Sequence, residues 1–157
     1  MSDFPTYEEA LSKLQRYCAY QERCHNQVRT KLLDIKCYGD TLEEVITALI
    51  QEDFLNEQRF AETFTSGKYR LKSWGRNKIQ TELKKKYVSD YCIRKGLASI
   101  DEVEYMETLE RTLRKYHLRY EHLDAFTLRG RMFKYGMNKG YTLQEMNIVL
   151  DKILGRR

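Results

Sequence analysis

Arg76, Lys78, Lys84, Lys85 and Lys86 fall within one short run of the chain, with Glu82 as the only acid among them. The surrounding stretch, Ser73 to Val88, reads Ser-Trp-Gly-Arg-Asn-Lys-Ile-Gln-Thr-Glu-Leu-Lys-Lys-Lys-Tyr-Val. It holds no nucleophile, no cluster of metal donors and no glycine-rich phosphate loop. Ile79 and Leu83 lie four apart, on one face of a helix, and the cations crowd the rest of its surface. His25, His117 and His122 have no nearby nucleophile or carboxylate pattern and read as structural or surface groups. No residue is assigned a catalytic role, no cofactor is implied, and no enzyme is expected. The chemistry on offer is positive charge on a helical scaffold.

That charge is local. Residues 1–65 carry a net of −5, residues 66–99 carry 10 basic and 2 acidic side chains, and residues 100–157 carry a net of +2. A block so poor in compensating acids predicts a contact surface for an anionic partner rather than a solvated helix face.

The sequence start has neither the basic region nor the apolar region of a signal peptide. No apolar run approaches the roughly 20 residues that span a bilayer. A cytoplasmic protein with no membrane contact is therefore expected. Cys18, Cys24, Cys37 and Cys92 are irregularly spaced and read as reduced thiols. A zinc site from Cys18, Cys24, His25 and Cys37 fits no common ligand spacing, so no metal is assigned. The 12 Tyr suit half-buried positions, where a ring packs and its hydroxyl stays wet.

The elements that must position the charged run are helical throughout. Thr6-x-x-Glu9 predicts a capped first helix carrying Ala10, Leu14 and Cys18. A second helix starts near Cys24 and ends around Gly39, a residue suited to a left-handed cap. Behind the box Thr41-x-x-Glu44, Leu42, Val45, Ile46, Leu49 and Ile50 form an amphipathic stripe. A fourth helix runs from Glu57 to about Lys72 with Phe60 and Phe64 in its core. The charged run is the fifth, and Ser89 begins the sixth. Ser99-x-x-Glu102 precedes a long seventh helix with Val103 and Leu109. The eighth runs from about Asp124 through Phe126 to Met137, and Thr142-x-x-Glu145 caps a ninth with Leu143 and Met146.

Three turns align: Lys36-Cys37-Tyr38, Lys86-Tyr87-Val88 and Lys139-Gly140-Tyr141. Periods near 50 residues mark repeat architectures in which each unit buries its face against a neighbour. The expected fold is all-α, with three tandem three-helix, helix-turn-helix-like repeats in an elongated array. The expected boundaries are 1–52, 53–99 (the basic repeat) and 100–157.

With those elements in place, the sequence resembles the RecX family of regulatory proteins, which modulate the recombinase RecA. The most specific stretch is Asp53-Phe54-Leu55-Asn56-Glu57-Gln58-Arg59-Phe60-Ala61. Gly75-x-x-Lys78-Ile79-x-x-Glu82-Leu83-x-x-Lys86 resembles the family's middle-repeat helix. Arg23-Cys24-x-x-Gln27-Val28 resembles its first-repeat helix, and Lys139-Gly140-Tyr141-Thr142 its third-repeat turn. The family usually has Ser at Cys24, Glu at Gln27 and Gly at Cys37 and Tyr87, so local geometry should differ there.

The resemblance implies a non-catalytic protein that binds the RecA filament on single-stranded DNA, and a monomer is expected. It would limit filament extension, ATPase, strand exchange and coprotease activity, and so modulate recombination, DNA repair and the SOS response. Capping of filament ends and occupancy of the filament groove both remain open. The candidate contacts to RecA or DNA are Arg59, Arg70, Lys72, Trp74, Arg76, Lys78, Lys84, Lys85 and Lys86. Arg59 has a competing reading as a partner for Asp53 or Glu57, and Trp74 as a core residue. The alternative function is direct binding of single- or double-stranded DNA by the basic repeat, in the manner of a helix-turn-helix protein.

Overall fold

A computed structural model describes residues 3–156 of the chain. Nine α-helices follow one another, and no strand occurs among the described residues: α1 (Tyr7–Tyr20), α2 (His25–Asp34), α3 (Gly39–Gln51), α4 (Glu57–Leu71), α5 (Arg76–Lys85), α6 (Asp90–Ala98), α7 (Glu102–Tyr120), α8 (Ala125–Lys139) and α9 (Leu143–Leu154). None of these helices is long and apolar enough to cross a membrane.

Helix starts follow the local chemistry. Thr6 Oγ1 accepts from the Glu9 N–H at 3.2 Å, which satisfies one of the free donors of α1. At α9, Thr142 Oγ1 accepts from Glu145 N and Glu145 Oε1 accepts from Thr142 N, at 3.1 and 2.9 Å, as that spacing predicts. Ser89 Oγ accepts from Cys92 N at 3.2 Å and opens α6. Two expected boxes are corrected. Gly39, at φ 60, turns the chain into α3 three residues early, so Tyr38 is the N-cap and Thr41 lies inside the first turn. Asp101, not Ser99, caps α7 by accepting from Glu104 N at 3.1 Å; a carboxylate is the stronger acceptor for a helix N–H.

The repeated turns share one hydrogen-bond pattern, in a register one residue from that expected for the first of them. Cys37 N donates to Leu32 O and Lys36 N to Leu33 O; Val88 N donates to Leu83 O and Tyr87 N to Lys84 O. Tyr141 N donates to Gly136 O, and Gly140 N to Met137 O. Each is a Schellman ending, with one residue in the left-handed region. Those residues are Lys36, Tyr87 and Gly140, at φ 65, 60 and 101. Lys36 thus corresponds to Tyr87 and Gly140 rather than to Lys86 and Lys139. The residues that follow, Cys37, Val88 and Tyr141, are all buried. The left-handed residue of the first turn is thus Lys36, not Cys37.

The chain divides into two compact units, one holding residues up to Thr63 together with Leu83–Gly96, the other Phe64–Glu82 together with the chain from Leu97 onward. In the first, α1, α2 and α3 pack on one another around Leu14, Val28, Leu32, Val45 and Leu49. Cys18 and Cys37 lie in that core, and Cys24 is buried as well. Phe60 and Ala61 are buried in the same unit, and Gly96 meets Ala61 at a distance that excludes a side chain. In the second unit, α7, α8 and α9 pack pairwise. Its largest fully buried side chains include Tyr69, Tyr105, Leu109 and Tyr141.

Val103, Phe126 and Leu143, which by spacing count among the apolar positions of their helices, are 68%, 89% and 53% exposed. Each stands at the first or second residue of its helix, before neighbouring helices cover the face.

Candidate contact surface

Trp74 is the centre of the geometry in the second unit. Ser73 takes a left-handed conformation at φ 57, and Trp74 N donates back to Lys68 O at 3.1 Å. The turn lays the indole on the last turns of α4. There Phe64 meets it edge to face, with ring centroids 6.3 Å apart. Lys68 Nζ lies 4.9 Å from the indole centroid and Lys78 Nζ 4.6 Å. Two ammonium groups over one half-buried indole form a compact cationic and aromatic platform. Phe64 is only half-buried, so its expected place in the core is corrected. Its ring instead supports Trp74.

Behind Trp74, the start of α5 is fixed to the second unit by backbone contacts. Gly75 N donates to Lys139 O at 2.7 Å, and Asn77 N to Gly140 O at 3.0 Å. Arg76 N donates to the Tyr105 hydroxyl at 3.0 Å. Three of the amides that often receive an anion at a helix start, those of Gly75, Arg76 and Asn77, are therefore spent on protein acceptors. Lys139 Nζ donates to Lys72 O at 3.1 Å and adds a cation to the region. Lys68 and Lys139 are the two residues that sequence reasoning missed. The signal for Lys68 was its place four residues after Phe64, on one helix face.

The arginines among the candidates are held within the protein. Arg76 bonds Glu145 Oε2 at 3.1 Å, pairs with Glu102, and lies over the Tyr105 ring at 4.3 Å. Tyr105 donates to Glu145 Oε1 at 3.3 Å. Burial, the largest influence, raises the Tyr105 and Tyr141 phenols well above the ordinary tyrosine range. Arg70 grips Glu104 with both arms of its fork, at 2.7 and 3.0 Å. That hydrogen bond holds the Glu104 carboxyl below its usual range. Arg59, in the first unit, joins Glu22 at 2.7 Å and Asp53 at 3.0 Å. Of the two partners expected for it, Asp53 is present; Glu57 instead lies 3.2 Å from His25 Nδ1 and accepts from Ser89 N.

The lysines differ in setting. Lys72 is exposed and Lys78 half-buried in the second unit; Lys84 and Lys85 are exposed, and Lys86 half-buried, in the first. The nine candidates are thus divided between the two units, with Arg59 among the first group and Arg70, Trp74 and Arg76 among the second. Among the described residues no three His, Cys, Asp or Glu side chains converge as metal donors.

Residues 56–97, which include most of these groups, match the family model for the second three-helix domain of RecX. Regulatory protein RecX of Clostridium tetani is 30% identical over 135 residues, covering 84% of this chain and 61% of its own length. Regulatory protein RecX of Prosthecochloris aestuarii is 27% identical over 154 residues, covering 98% of this chain and 99% of its own. The chain belongs to the RecX family. A crystal structure of RecX from Lactobacillus salivarius superposes with a TM-score of 0.85, at 20% identity, over 94% of this chain and 96% of that one, so the fold is shared. The chain spans about three fifths of the length of the RecX proteins of Clostridium perfringens and Clostridium tetani.

Proposed function

We propose that this chain regulates RecA by binding its filament on single-stranded DNA, where it limits filament extension, ATPase, strand exchange and coprotease activity. The observation that carries this reading is the coincidence of two features in residues 56–97. They match the second RecX domain, and they contain most of the block of 10 basic against 2 acidic side chains. The relatives are named as regulatory proteins, which supports a binding role rather than a catalytic one. A cytoplasmic monomer is the form in which we expect it to act.

Within that reading the lysines and Trp74 are the favoured contacts. Lys72, Lys78, Lys84, Lys85 and Lys86 carry charge that a partner can meet, and Trp74 offers a half-buried anchor of a type common at interfaces. Arg59, Arg70 and Arg76 hold the scaffold through their ion pairs, their charge already met by carboxylates of the chain itself.

The test is titration of the protein into RecA on single-stranded DNA while ATP hydrolysis is followed. A Lys84/Lys85/Lys86→Glu variant should inhibit at least tenfold less well at equal concentration. Equal inhibition by both proteins would remove the lysine run from the contact surface, and no inhibition by either would overturn the assignment to RecA.

A second reading has its own support. An indole flanked by two ammonium groups suits stacking of an unpaired base with its phosphates neutralised, so the chain would touch single-stranded DNA directly. Binding to naked DNA through about five phosphates would give a log–log salt slope near −3.5 on a single strand and near −4.5 on a duplex. A RecA-dependent interaction with no such slope would favour protein contact alone.

A further inference from the structure

Helices α8 and α9 leave an open groove of about 920 Å³ on the second unit. Its apolar lining includes Phe126, Phe133, Leu143, Leu150 and Leu154, with Gly130 among them. Phe126 and Leu143, the misplaced first-turn residues of their helices, are its most exposed apolar groups, at 89% and 53%. An open groove between two helices with an apolar floor is the setting in which an amphipathic partner helix docks.

Gly130 is a second, separate sign. It sits in the interior of α8, where glycine costs about 0.5–1 kcal/mol relative to alanine. Its φ is not left-handed, and a Cβ built there meets nothing within 4 Å. The fold of this unit gives no steric reason for it. A glycine facing open space in a groove lets another backbone approach closely.

Charge selects the kind of backbone. Arg131, Lys134 and Arg156 are exposed along the lining, and among the described residues no Asp or Glu lines the groove. The fourth cation, Arg129, is already held by Asp151 at 2.6 Å. We propose that this groove binds an amphipathic helical segment of a protein partner. Its apolar face, at i, i+3 and i+4 spacing, lies on Phe126, Leu143 and Leu154, and its acidic flank meets Arg131, Lys134 and Arg156. This surface uses none of the residues assigned to the charged contact surface and holds whether or not that surface meets RecA.

A fluorescein-labelled synthetic helix with leucines on one face and glutamates on the other is the probe. Fluorescence anisotropy with the full chain should show saturable binding that weakens as salt rises. The same composition scrambled off one face, and a version with lysine for glutamate, should each bind at least tenfold more weakly. Gly130→Leu fills the groove while favouring the helix, and Arg131→Glu/Lys134→Glu reverses the rim; each should weaken the probe roughly tenfold, about one buried side chain's worth. Circular dichroism confirms that these surface variants fold. No binding up to about 1 mM, or equal binding of all three peptides, overturns the proposal. So does a concentration-dependent dimer in sedimentation that Phe126→Ser abolishes, because the face would then belong to a second copy of this chain.

Discussion

Gly75 and Gly140 meet backbone to backbone: a Cβ at position 75 would fall under 3.0 Å from the Gly140 carbonyl, and one at position 140 under 3.0 Å from Lys78. The contact is what allows Gly75 N and Asn77 N to reach the carbonyls that end α8. It sets the start of α5 and, through the preceding residue, the position of Trp74. Gly75 has an ordinary φ, so alanine fits its backbone and only the steric clash opposes it. Gly75→Ala should cost about 1–3 kcal/mol in urea denaturation, as over-packing does. The sole tryptophan should report the shift by a changed emission maximum in the folded state.

Arg76 and Lys78 stand two residues apart and should fail differently. Arg76 is part-buried between Glu102, Glu145 and the face of Tyr105, and Glu145 also caps α9. Removing the guanidinium leaves Glu145, itself largely buried, without its cation. Arg76→Ala should therefore lower stability by about 1–3 kcal/mol, below the full cost for a deeply buried pair. Lys78→Ala loses a cation over the indole and should change stability by under about 1 kcal/mol. Thermal melts of both, beside their effect in the proposed RecA titration, separate a scaffold residue from a contact residue. Equal melts would remove the distinction.

Helix existence and order were legible because capping spacing and apolar periodicity are local signals, and both survive in α1, α6 and α9. The register of the repeated turns was not. Lys36, Tyr87 and Gly140 share a backbone conformation but no side-chain chemistry, so aligning lysines placed the first turn one residue off. The fates of the arginines were hidden for another reason. Glu22, Glu104 and Glu145 lie 37, 34 and 69 positions from Arg59, Arg70 and Arg76, and only the fold brings them together. The groove of α8 and α9 was masked by periodicity itself, since Phe126 and Leu143 continue an apolar stripe beyond the point where neighbouring helices cover it.

Tyr87 gives a prediction in the stabilising direction. It holds φ 60 at the end of α5, where a Cβ costs about 1–2 kcal/mol. Its ring is 80% exposed, so little burial is lost with it. Tyr87→Gly removes the strain and returns about 0.5–1 kcal/mol to the unfolded chain as entropy. A net gain of about 0.5–1 kcal/mol in urea is expected. Gly140→Ala, at φ 101 and against Lys78, should move the other way. A loss in the Tyr87 variant would mean that its ring makes a contact worth more than the strain.

Three carboxylates, Glu43 exposed and Glu104 and Glu110 half-buried, set the response to acid. Arg29 holds Glu43 below its ordinary value of 4.5, Arg70 does the same for Glu104, and Lys152, then Arg114, for Glu110. A carboxyl whose folded value is depressed binds fewer protons folded than unfolded in the range between its folded and unfolded values. Its contribution is fully present above 4.5 and is lost as pH falls through the depressed folded range. The urea midpoint should therefore be flat near neutrality and fall on acidification below 4.5. Because the pairs face solvent, salt should shrink the fall by screening. Glu104→Gln should flatten part of the acid limb while leaving the limb due to Glu43 and Glu110, which lie in separate pairs. An acid limb unchanged by Glu104→Gln would show that the Arg70 fork, though bidentate, adds nothing to the stability of the second unit.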